Sequence, residues 1–75
     1  MPSKQERAVV AYLERYGQPQ TLAAINDHLA GQGYEPVDLE ALAGLVDANS
    51  IAYADGGVDS YGQEINLYAP IGYKA

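Results

Sequence analysis

The chain has 75 residues, room for one small domain, and its ten Asp and Glu against four Lys and Arg give a formal charge of -6 with a single His. It contains no Cys, which excludes a disulfide framework, a thiolate nucleophile, an iron–sulfur cluster and a cysteine zinc site. Charge placement adds more than the total. Residues 17–73 hold eight acids and no Lys or Arg, while Lys4, Arg7, Arg15 and Lys74 lie near the two ends. A nucleic-acid surface needs clustered positive charge, and the middle of this chain offers the reverse.

No apolar run approaches the roughly 20 residues needed to cross a bilayer. The first seven residues are mostly polar, where a signal peptide would carry its apolar stretch, so a cytoplasmic location is expected. The hydrophobic fraction of 48% includes seven Tyr, with no Phe and no Trp. The aliphatic residues still suffice for one small core, and their regular spacing argues against disorder.

The first periodic segment spans Ser3 to Tyr16, with Val9, Tyr12, Leu13 and Tyr16 at helical spacing. Ser3 and Glu6 form the pattern of a capping box, and Gly17 with Pro19 ends the segment. A second helix is expected from Thr21 or Leu22 to Ala30, capped by Thr21, burying Leu22, Ile25 and Leu29, and stopped by Gly31 and Gly33. The third begins at Pro36 or Asp38 and reaches about Ala48, with Leu39, Leu42, Leu45 and Val46 as its apolar face.

The period then shortens. Ile51–Ala54 and Gln63–Tyr68 read as two strands joined by a Gly-rich loop over 55–62, a hairpin packed through Ile51, Tyr53, Ile65 and Leu67. The fold class is therefore mainly α with a C-terminal β-hairpin, in the order α-α-α-β-β. Tyr12, Tyr16 and Tyr53 fall at core-compatible positions, whereas Tyr34, Tyr61, Tyr68 and Tyr73 are harder to bury.

With its run Leu42, Leu45, Val46, Asp47, Ala48, Asn49, Ser50, Ile51 and its close Leu67-Tyr68-Ala69-Pro70-Ile71-Gly72, the chain resembles a winged helix-turn-helix domain. The resemblance covers roughly residues 4–72 and implies a single winged-helix domain over 1–75. It also implies that the third helix would enter a major groove and the hairpin tip, the wing, would touch phosphate or the minor groove. Here the chain departs from the pattern. Residues 36–48 contain no Arg, Lys, Asn or Gln, and the wing carries Asp55 and Asp59.

These residues make a protein partner with a basic surface, or self-association as a homodimer, the leading expectation. The candidate contact residues are Tyr34, Asp38, Glu40, Asp47, Asp55, Asp59, Tyr61 and Tyr68, an acidic and tyrosine-bearing surface able to steer a basic partner or to mimic DNA. The alternative is a DNA-binding regulator or DNA-processing accessory that touches DNA through Lys4, Arg7 and Arg15 of the first helix. No enzyme is expected, and no cofactor or metal. His28 has no second His or Cys to complete a ligand set, and Ser50 and Ser60 have no base beside them. Asp55, Asp59 and Glu64 fall off the spacing of a calcium loop.

Overall fold

The computed structural model describes residues 3–73. Along the chain run α1 (Lys4–Tyr16), β1 (Gln20–Thr21), α2 (Leu22–Gly31), α3 (Leu39–Asp47), β2 (Ile51–Val58) and β3 (Glu64–Pro70). Three helices thus precede a C-terminal antiparallel hairpin. The two-residue β1 was not expected from the sequence. It adds a third strand by pairing antiparallel to β3, so the open sheet has the order β1-β3-β2. The whole is compatible with a winged-helix-like fold.

Local chemistry sets the helix ends. The Ser3 hydroxyl accepts from the Glu6 backbone N–H at 3.1 Å, and the Ser3 N–H donates to the Glu6 carboxylate at 3.0 Å. Ser3, through its backbone N–H first and its side chain second, holds the Glu6 carboxyl below its ordinary value. Gly17 closes α1 in the left-handed region at φ 75°, where a side chain would be strained. The Thr21 hydroxyl caps α2 through the Ala24 N–H at 3.1 Å.

The structure chooses between the two expected starts of α3. Asp38 is the N-cap, accepting from the Ala41 N–H at 2.8 Å, and Pro36 lies outside the helix. The reason lies eleven residues upstream. Asn26 of α2 accepts from the Val37 N–H at 2.8 Å and donates to the Val37 carbonyl at 2.9 Å. This reciprocal amide clamp uses both backbone groups of Val37, so the helix starts only beyond it.

α3 ends where Asn49 turns into the left-handed region at φ 59°, and the Ser50 N–H donates to the Leu45 carbonyl at 2.9 Å. That turn delivers Ile51 into the core. Val9, Leu13, Ile25, Leu29, Leu42, Leu45, Ile51 and Tyr68 form one buried cluster, drawn from all three helices and both long strands. Each fully buried aliphatic side chain stabilises the fold by about 1.5–3 kcal/mol relative to an exposed one.

The hairpin runs longer than its alternating residues suggest. β2 continues to Val58 because Gly56 and Gly57 take up a register shift between Asp55 and Val58. A Cβ on Gly56 would stand 2.8 Å from the Ile65 carbonyl oxygen, so only glycine fits that approach.

The register also corrects the expected buried face. Tyr53 pairs with Tyr68 and Ile51 with Pro70. Since side chains alternate along a strand, Ile51, Tyr53 and Tyr68 share the face toward the helices, and Ile65 and Leu67 point to the other. Tyr68, expected to be exposed, is only 6% exposed and belongs to the core. Two tyrosines expected to pack are instead open, Tyr53 at 50% and Tyr16 at 57%.

Candidate functional site

α3 packs on β2, and between that helix and the sheet lies a groove of about 320 Å³ lined by Leu39, Ala43, Val46, Asp47, Tyr53, Asn66 and Tyr68. Leu39 opens the helix and is 49% exposed, although the sequence places it on the buried face. Tyr53 stands across from it. Its hydroxyl donates to the Asn66 side-chain oxygen at 2.8 Å, and its ring meets Tyr68 edge-on at 6.0 Å. The floor is apolar and the neighbouring charge is acidic, with Asp47 in the lining and Glu40 exposed on the same helix.

The candidate acids do not all have the same freedom. Asp38 is engaged as the α3 cap. Asp55 accepts from the Gly57 N–H at 2.9 Å, and Asp59 accepts from the N–H groups of Tyr61 at 2.8 Å and Gln63 at 3.0 Å. Those two carboxylates shape the wing as turn residues do, by satisfying nearby backbone donors. Glu40 and Asp47 have no such bonds to backbone and stand exposed on α3. Tyr61, at the wing tip, is 90% exposed.

Of the tyrosine candidates, Tyr68 reaches the α3 groove only from the buried layer beneath it. Burial first, then the neighbouring Tyr53, raises its phenol pKa above the ordinary value. Tyr34 lies elsewhere. It follows α2, donates its backbone N–H to the Leu29 carbonyl at 2.9 Å, and lines a different groove between α1 and α2.

That second groove, of about 520 Å³, gathers Lys4, Arg7 and Arg15 from α1 and His28 from α2, with Tyr12 and Tyr34. In the sequence the three bases read as DNA-contact candidates on the first helix, and His28 as a residue without partner ligands. Helix packing brings the four together. The i, i+3, i+11 spacing of the bases was the available signal, but the α2 wall required tertiary structure. Tyr12 stacks on His28 with ring centroids 4.2 Å apart, and its hydroxyl donates to the Gln20 side-chain oxygen at 3.3 Å. Burial is the main cause that raises the Tyr12 pKa.

Among the described residues no group of three His, Asp or Glu side chains is arranged to hold a metal ion. No described helix is long and apolar enough to cross a membrane. Comparison with known proteins finds no matching family model, curated protein or solved structure. The class that the structure itself defines is a small domain of three helices and an open antiparallel sheet, compatible with a winged-helix-like fold. Two of the grooves on its described surface differ in charge.

Proposed function

We propose that the chain is a non-catalytic binding module of the winged-helix class that contacts a protein partner through α3 and the wing. One observation carries the reading: the α3 groove exposes Leu39 and Tyr53 while every charged residue on α3 and the wing is acidic. An apolar floor with an acidic surround fits a partner segment that carries aliphatic or aromatic side chains flanked by Lys or Arg. The apolar contact supplies most of the affinity, and the acids steer the encounter and reject acidic competitors. Duplex DNA fits this surface poorly, because its phosphates would meet Glu40, Asp47, Asp55, Asp59 and Glu64 without a compensating base.

The test uses fluorescence anisotropy on the full chain at low salt, with a labelled Lys/Leu amphipathic peptide in one arm and a mixed-sequence duplex in the other. The peptide is expected to bind, and Glu40→Lys with Asp47→Lys to weaken it by about tenfold, near 1.4 kcal/mol. These positions are chosen over Asp38 and Asp59 because they make no backbone bonds that hold the fold. Salt-sensitive duplex binding tighter than the peptide's would overturn the reading in favour of a DNA-binding regulator.

A further inference from the structure

We infer that the groove between α1 and α2 is a second binding site, which takes an extended, carboxylate-bearing segment of a partner protein. The inference is independent of the α3 reading. Every Lys and Arg among the described residues lines this one groove, and no Asp or Glu does. Glu6, Glu14, Asp27 and Glu35 lie on or beside the same helices, yet none enters the lining. Ala8 and Ala11 sit in the lining among the bases. Their small side chains leave the space open, so the long cationic side chains flank a trough instead of covering a ridge.

The spacing selects the shape of the anion. At a rise of roughly 1.5 Å per residue, Arg7 and Arg15 stand about 12 Å apart along α1, with Lys4 about 4.5 Å further out. A single phosphate cannot reach all three. An extended peptide advances about 3.3–3.6 Å per residue, so carboxylates four residues apart span about 13 Å and match the two arginines. Each guanidinium presents a planar fork suited to a carboxylate, and Gln32 at the same groove has an amide that both donates and accepts, as a peptide backbone requires.

Nucleic acid matches less well on two counts. Single-strand binding uses aromatic faces for the bases, and Tyr12, which lies between Arg7 and Arg15 along α1, is already stacked on His28 at 4.2 Å. A longer strand leaving the groove would also run onto a surface whose remaining charged side chains, among the described residues, are all acidic.

The experiment is a ¹⁵N–¹H titration of the full chain at low salt. The probes are an octaglutamate peptide, a ten-nucleotide oligothymidylate and inorganic phosphate. Octaglutamate is expected to move the α1 and α2 amides, including those of Arg7, Arg15 and His28, and to lose affinity as salt rises. Arg7→Glu with Arg15→Glu should weaken it by at least about tenfold, Arg7→Lys with Arg15→Lys by less, and Glu14→Gln hardly at all. The unperturbed spectrum of each variant reports that it is folded. Tighter binding of oligothymidylate at the same residues, equal binding of inorganic phosphate, or octaglutamate binding that survives both arginine reversals would each overturn the inference, as would no octaglutamate binding.

Discussion

The α3–wing face and the α1–α2 groove carry opposite charge, and they differ equally in what their charged side chains do for the fold. On the acidic side, Asp38 caps a helix and Asp55 and Asp59 close turns of the wing, so three of the six acids have a structural reason to be there. In the cationic groove, the side chains of Lys4, Arg7 and Arg15 make no hydrogen bond to a turn or cap among the described residues. A charge that holds backbone together is explained by folding. One that only lines a groove is free to meet a ligand.

The largest effect tests the joint between the two regions. Asn26 ties α2, a wall of the cationic groove, to the segment that leads into α3. Asn26→Ala removes both bonds and leaves the Val37 backbone unsatisfied in a half-buried position, at an expected cost of about 2–3 kcal/mol. Thermal unfolding should record a fall of roughly 8–24 °C for a domain of this size.

Next come the acids themselves. Asp59→Ala and Asp38→Ala should each destabilise by about 1 kcal/mol, the usual cost of losing a cap or a local carboxylate–backbone bond. Arg7→Ala and Arg15→Ala should stay within about 0.5 kcal/mol of the parent when all four variants are compared by urea titration. The comparison breaks if the arginine changes cost as much as the aspartate changes.

The smallest effect is a slope. Tyr68 has a folded-state pKa raised mainly by burial, so its contribution to stability is fully present below the unfolded phenol value and is lost as pH rises through the folded one. Stability should therefore decline above about pH 10, and Tyr68→Phe should flatten that decline. Tyr12, raised by the same cause, leaves a residual slope that Tyr12→Phe should reduce further. Denaturant titrations on either side of the transition measure both.

Much of this arrangement was legible because it is local. The Ser3–Glu6 box and the Thr21 cap each act across three residues, and the helix periods follow from spacing alone. What escaped depends on distant partners. β1 is two residues long and exists only because Gln20 and Thr21 meet Tyr68 and Leu67. The buried face of β3 depends on register, and pairing Tyr53 with Tyr68 turns the apolar Ile65 and Leu67 away from the helices. The Asn26 clamp spans eleven residues, and neither end announces the other. The candidate site divides in the same way. Asp47 lines the α3 groove, whereas Tyr34 joins the bases and Tyr68 joins the core.

Whether α3 and the wing form the contact surface for a basic partner can be read from the full chain's ¹⁵N–¹H spectrum as the Lys/Leu amphipathic peptide is added. The shifts should concentrate at Leu39, Ala43, Asp47, Tyr53 and Asn66 and leave Arg7 and Arg15 unmoved. Shifts centred on α1 and α2, or none at α3 when the peptide is in excess, would contradict it.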